Sequence, residues 1–294
     1  MKDKAHYYHC ATKGFEHSIL FSDPREFIAA MNRIAICVAR AGQEFPVVVI
    51  AFCLMDNHVH FILHGTRENC LKWMALFHRL TMVWQTKHRT GSPVQETWKY
   101  DAWLLSDKED VKEKSAYVFR NPMAAGQAFL PTTYRWSSAG LVFSDDSTVS
   151  GKPIGELSTY ERRKLFETRV ELPGDWILMP DGMIWPGSYT NYHQVERLFG
   201  QPASFLFALN QKVEPKVNEE MQRSSLSLPD QDVLRMALEE AGQRFGAAEI
   251  EALDLSQRVV LCSTLVKRSG ITIKQLGRVF HIPPGDMKKL FGRG

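Results

Sequence analysis

The stretch that most limits how this chain can fold runs from Val47 to Leu63. An apolar run, Val47–Leu54, meets a two-residue polar break at Asp56-Asn57, and a second apolar run follows, interrupted only by His58 and His60. Asp and Asn accept the backbone angles of tight turns, so the pattern predicts a β-hairpin with its turn at 56–57. Val59, Phe61, Ile62 and Leu63 favour strands. Successive strand side chains point to opposite faces, so His58 and His60 share one face while Val59 and Phe61 take the other. Two neighbouring imidazoles on a half-buried sheet form half of a metal site, neutral imidazole being the commonest protein metal ligand.

The flanking sequence predicts a βαββαβ succession. His6–Thr12 reads as a strand. Ser22-Asp23-Pro24 caps a helix with Phe27, Met31, Ile34 and Val38 on one stripe, expected to run to about Arg40 and to stop at Gly42. Phe45–Leu54 and His58–Gly65 form the hairpin. A second helix, Glu68–Lys87, turns Leu71, Met74, Phe77, Leu80 and Trp84 inward, and Thr97–Leu105 is a fourth strand. This order is that of a ferredoxin-like split βαβ unit, an α+β fold whose antiparallel sheet carries its helices on one face and leaves the other open. Ser106-Asp107 caps a third helix from Lys108, expected to end near Asn121 because the residue before a proline is pushed out of the helical region.

Two segments resemble one family. Met55-Asp56-Asn57-His58-Val59-His60 is similar to the histidine–hydrophobic–histidine strand of the HUH single-strand nucleases, and its flanks resemble the REP-associated tyrosine transposases (transposase IS200-like), with Asp56 standing where that family has proline. About 60 residues on, Tyr117-Val-Phe-Arg-Asn121-Pro-Met-Ala-Ala-Gly126 resembles the Tyr-x-x-x-Asn-Pro-x-x-Ala-Gly signature of the same family. The helical spacing puts Tyr117 and Asn121 on one face. Tyr134-Arg-Trp-Ser-Ser138 is similar to a further family motif and is read here as an aromatic lid on the core. The resemblance covers about residues 5–140. It implies that Tyr117 is a nucleophile, that Asn121 joins His58 and His60 around a divalent ion, Mg²⁺ or Mn²⁺, and that the substrate is single-stranded DNA beside a folded hairpin. The implied activity is strand cleavage and rejoining through a 5′-phosphotyrosine intermediate. The alternative is a domesticated relative that binds hairpin DNA without cutting it. No general base stands out; His64 and His78 are candidates. Arg79, Lys87, Arg89, Lys99 and Arg120 are candidate DNA contacts in this part of the chain.

Charge is unevenly placed. The 294 residues carry a net +3, yet Ser256–Gly294 holds eight Lys/Arg against Asp286 alone, a local +7, which leaves about −4 on the rest. A positive end on a near-neutral chain is the footprint of a polyanion partner. Here Ser256 is expected to cap a helix Arg258–Lys267, and Thr272–Phe280 followed by Pro284–Phe291 reads as a helix-turn-helix, with Lys274, Arg278, Lys288 and Lys289 as DNA contacts. The expected divisions are a catalytic domain at 1–145, an intermediate elaboration at 154–215 after a polar linker, and an all-helical region at 230–294. Five scattered cysteines without a Cys-x-x-Cys pair argue against a disulfide framework, and the N-terminus has no apolar signal core. The chain is therefore expected in the cytoplasm, off the membrane, as a monomer or homodimer.

Overall fold

A computed structural model describes residues 4–12, 19–89, 98–210, 228, 230–266 and 271–291. The fold is mixed α and β. Strand β1 (His6–Thr12) leads to helix α1 (Pro24–Glu44), the hairpin β2 (Val48–Leu54) and β3 (Val59–Gly65), helix α2 (Arg67–His88), strand β4 (Tyr100–Leu105) and helix α3 (Lys108–Ala124). The four strands form one sheet in the order β2-β3-β1-β4, every neighbour antiparallel. Among the described residues no helix is long and apolar enough to cross a membrane, and all five cysteines are buried free thiols.

Alternation decides the two faces. Tyr8, Cys10, Val49, Phe52, Leu54, Val59, Phe61 and Leu63 point into one core with α1 and α2, where Phe61 packs edge-on against Trp73 and Phe77. Burying each such aromatic contributes about 2–3 kcal/mol. Asp23 caps α1 through the Arg25 and Glu26 N–H groups, with Pro24 in the first turn. The expected stop at Gly42 is not observed, since the helix continues to Glu44 and closes with the Phe45 N–H on the Ala41 carbonyl. A glycine inside a helix costs about 1 kcal/mol, and the chain on either side of it stays helical with Ala41 fully buried.

The expectation of helices on one face only is corrected by α3. It lies on the opposite face, where Val111, Ala116, Val118 and Phe119 pack with Ile50, Ala51, Cys53 and Ile62. It covers chiefly β2 and β3 and leaves the β1–β4 edge more open. Nor does α3 end near Asn121; it runs through Pro122 to Ala124. Proline has no N–H for the Val118 carbonyl four residues back. Asn121 Nδ2 stands in, donating to the Tyr117 carbonyl at 2.9 Å and to the Val118 carbonyl at 3.4 Å.

The outer edge of β2 is sealed rather than exposed. Leu54 N–H donates to the Trp136 carbonyl, Ser137 Oγ to the Phe52 carbonyl, and the Tyr134 hydroxyl to the Leu54 carbonyl at 2.9 Å, while Trp136 stacks on Phe27. The aromatic motif at 134–138 thus works as an edge cover, the protection sheet edges need. Residues 143–153 are tied down too: Phe143 N–H donates to Glu196, and the Tyr192 hydroxyl donates to Asp146. Helix α4 (Thr159–Phe166) and the two-residue strands β5 (Lys152–Pro153) and β6 (Ile177–Leu178) extend the α1 side of the core. Helices α5 (His193–Phe199) and α6 (Pro202–Asn210) pack against α3.

The C-terminal part is a separate helical core of α7 (Asp230–Phe245), α8 (Leu255–Leu265), α9 (Ile273–Val279) and α10 (Pro284–Phe291). Helix α8 begins earlier than expected. Asp254, not Ser256, caps it, in a reciprocal box with Gln257. Thr272 and Gln275 form the same box at the start of α9, and His281, in the left-handed region at φ 52°, turns the chain into α10. Lys267, Arg268 and Arg293 lie outside the described residues, as does most of the expected linker at 212–232.

This helical part is fastened to the histidine hairpin at Asp56. The Asp56 carbonyl accepts from Leu20 and Phe21 N–H, and its buried carboxyl accepts from Asp230 N–H at 3.3 Å, the first residue of α7. Arg278 grips Asp230 with two bonds, 2.6 and 2.7 Å. Burial, and then the charge of Asp230, push the Asp56 carboxyl up to about 7, against the opposing pull of Arg278. A raised carboxyl binds a proton in the folded state that the unfolded chain has already lost. Its contribution to stability therefore declines as pH rises from about 4 to 7. Asp56→Asn keeps an oxygen for the Asp230 N–H and removes the titration. It is expected to match the parent near pH 5 and to exceed it at pH 8 by about 1–3 kcal/mol. Urea unfolding at the two pH values measures this difference, which cancels the histidines that titrate in the same range. A variant destabilised more at pH 8 than at pH 5 would show that the ionised carboxylate is the favoured form, and one changed equally at both would show that Asp56 does not titrate between them.

Candidate metal and nucleophile site

The Met55 N–H donates to the His58 carbonyl at 2.8 Å, closing the hairpin around Asp56-Asn57. His58 and His60 emerge on the α3 face as alternation predicts, their ring centroids 4.8 Å apart. His58 Nδ1 lies 2.7 Å from Asn57 Oδ1 and donates to it, so Nε2 carries the free lone pair. His60 Nδ1 lies 3.0 Å from Nε2 of a third histidine, His9. With His60 donating there, its Nε2 is free as well. Metal-bound histidines characteristically donate their other ring N–H in this way.

Tyr117 and Asn121 descend from α3 onto the same place. The Tyr117 ring stands edge-on to His60 at 5.6 Å and to His9 at 6.0 Å. Lys114, one turn earlier, holds its ammonium 4.7 Å from the centre of the Tyr117 ring. Asn121 is within hydrogen-bonding reach of both His58 and His60. Because its Nδ2 serves the helix backbone, Oδ1 is the atom left for the imidazoles. The structure thus brings His58, His60, Tyr117 and Asn121 together.

The electrostatics keep the imidazoles uncharged. Burial first, with Lys114 adding to it, lowers His9 to about 3. Burial lowers His58 to about 4, with Arg278 assisting and Asn121, which would accept from the protonated ring, opposing. His60, 6 % exposed, is driven well below its ordinary value by burial and then by its two histidine neighbours. Two imidazole lone pairs and an amide oxygen that face one another repel unless a proton or cation lies between them. Three neutral N, N and O donors fit a divalent cation. Among the described residues no group of three or more His, Cys, Asp or Glu forms a metal cluster. His9 is not a third ligand by this geometry, since its Nε2 is spent on His60.

Sequence reasoning missed His9, Lys114 and Trp103, which pairs with His9 across β1 and β4. The signal for His9 was its strand, but only the pairing of β1 with β3 reveals it beside His60. The candidate bases sit elsewhere. His78 stacks on Trp98 on the α2 side, and His64 packs against Tyr7. The candidate DNA contacts divide. Arg79 and Lys99 are exposed, as are Lys274, Lys288 and Lys289, the last paired with Asp286. Lys87 pairs with Glu167, and Arg89 is buried against Glu26 and the Ile19 carbonyl. Arg120 donates to the Ala208 carbonyl, and Arg278 is committed to Asp230. Helix α2, which carries Arg79 and Lys87, lies on the sheet face away from Tyr117. No family model, curated protein or solved structure matches the chain.

Proposed function

We propose that this protein is a metal-dependent single-strand DNA nuclease and strand transferase of the HUH tyrosine type, acting beside hairpins. The observation that carries the reading is the convergence of His58, His60, Asn121 and Tyr117, two motifs about 60 residues apart in sequence, on one patch of the sheet. The strand order β2-β3-β1-β4 with all-antiparallel pairing supports the ferredoxin-like reading of the sheet. The short helices α9 and α10 with their exposed lysines support a helix-turn-helix that contacts phosphates.

His58 and His60 through Nε2 and Asn121 through Oδ1 would hold a divalent ion, Mg²⁺ or Mn²⁺, which when bound polarises the scissile phosphate. Asn57 holds the His58 ring in the tautomer that ligation needs, and His9, by accepting from His60 Nδ1–H, would do the same for the second ring. Lys114 favours an anion drawn up to Tyr117. The Tyr117 oxygen attacks phosphorus, a new P–O bond forms, the P–O3′ bond breaks, and the departing 3′ oxygen takes up a proton while the phenol proton passes to water. The phosphotyrosine conserves the bond energy, so a second 3′-OH can reverse the step without ATP. A hairpin oligonucleotide with a single-stranded flank, incubated with Mn²⁺ or Mg²⁺, should give a covalent protein–DNA band on a denaturing gel. Tight hairpin binding with no band on any flank would replace this reading with that of a non-cleaving binder.

The metal can be tested apart from the DNA. An ordinary imidazole loses metal to protons about tenfold per pH unit below 6.5. His58 and His60 are lowered, so Mn²⁺ affinity measured by calorimetry should stay within about threefold between pH 7.5 and 5.5. His58→Ala and His60→Ala should each weaken it by about a hundredfold or more. Equal affinity in all three proteins would remove the metal from the scheme.

A further inference from the structure

Four rings lie in a row across the sheet on the α3 face. His58 and His60 are 4.8 Å apart, His60 and His9 5.2 Å, His9 and Trp103 5.6 Å. The row runs from β3 through β1 to β4, and Tyr117 stands over its middle. It begins in the polar cluster and ends at the sheet edge on an indole that is 50 % exposed. Helix α3 lies mainly over β2 and β3, which leaves this end open. A tryptophan on an edge strand that leaves half its surface in water gains only part of the stability its burial could give. Its position at the end of the row over which Tyr117 stands, with the Lys114 ammonium 4.7 Å from the centre of the Tyr117 ring, gives it another use.

We propose that Trp103 and Lys114 form a nucleotide subsite for single-stranded DNA, Trp103 stacking one unpaired base next to the phosphate at Tyr117 and Lys114 contacting the backbone. The inference rests on the single-strand reading above and names a contact of that site. Indole faces stack bases of any sequence, while a duplex keeps its bases stacked on each other and out of reach. The subsite therefore selects an unpaired strand without selecting its sequence. Lys114 supplies the charge complementarity; it shares a helix face with Tyr117, three residues on, so strand and nucleophile approach together.

The test uses the full chain in EDTA, so that no cleavage intervenes, and a fluorescent hairpin with a 12-nucleotide thymidine flank read by anisotropy. Trp103→Ala should weaken binding about tenfold or more and Trp103→Phe only about twofold, both measured at a temperature where circular dichroism shows each variant fully folded. Lys114→Gln should reduce the slope of log affinity against log salt by about 0.7. An abasic scan along the flank should find one position whose loss weakens the parent protein and leaves Trp103→Ala unaffected, a coincidence that a merely structural role would not produce. If Trp103→Ala binds as tightly as the parent, or the parent binds blunt duplex as tightly as the flanked hairpin, the subsite is wrong. The two readings fail separately. An adduct that forms normally in Trp103→Ala of unchanged affinity removes the subsite alone. A Trp103-dependent affinity with no adduct on any flank removes the cleavage alone.

Discussion

Tyr117→Phe is expected to lower adduct formation by at least about a thousandfold and to leave DNA affinity within about threefold. Losses of that size follow the removal of an attacking group whose task no neighbour can assume. The ring's contacts with His9, His60 and Lys114 do not involve the hydroxyl, so phenylalanine keeps those contacts and removes the oxygen proposed to attack. The other tyrosines near the fold's centre are poor substitutes. The Tyr134 hydroxyl is bound between the Leu54 carbonyl and Gln127, and burial drives its pKa far up. Tyr100 packs near His78, towards the α2 side. A 5′-labelled flank, a denaturing gel and peptide mapping of the band would place the bond. A band that persists in Tyr117→Phe would move the nucleophile and with it the whole scheme.

The second large effect belongs to Arg278. Its guanidinium makes a two-bond pair with Asp230, a carboxylate 2 % exposed, beside the buried Asp56. Arg278→Met would leave that carboxylate without its principal countercharge. Breaking such a pair by removing one partner costs about 3–5 kcal/mol. The helical C-terminal part should unfold or detach at lower urea than the sheet, giving two transitions where the parent has closer ones. The double variant Asp230→Asn/Arg278→Met should recover most of the loss, because no charge is then stranded. If Arg278 were instead a phosphate contact, Arg278→Met would unfold normally and lower the salt dependence of DNA binding by about one phosphate. That result would return it to the candidate DNA contacts with Lys274 and Lys288.

What the sequence made readable was local. Period-two alternation placed His58 and His60 on one face, and Asp23 and Asp107 announced their helices because a cap acts over three residues. The range Pro284–Phe291 follows from a proline start and apolar spacing alone. What escaped were pairings across long separations. His9 meets His60 only because β1 lies antiparallel to β3, with Ala11 opposite His60. Arg278 looked like one more cation in a basic tail, since its partner lies 48 residues earlier. The helix continues through Pro122 against the steric rule for residues before proline, and the Asn121 side chain offsets the N–H that proline lacks by donating to the Val118 carbonyl. That α3 crosses to the second face is a decision of tertiary packing, taken by Val118 and Phe119, on which the helical period is silent.

The attachment at Asp56 makes the molecule a ruler. The two-residue turn that launches His58 also receives the first N–H of α7, so the C-terminal helices and the histidine pair share one anchor point. On the proposed reading, a hairpin held by α9 and α10 would present its flank to Tyr117 at a set number of nucleotides. The cut would be specified by counting from the hairpin rather than by reading bases at the break. Lengthening the flank between hairpin and cut by one or two nucleotides should then move the break along the sequence while its distance from the hairpin stays constant.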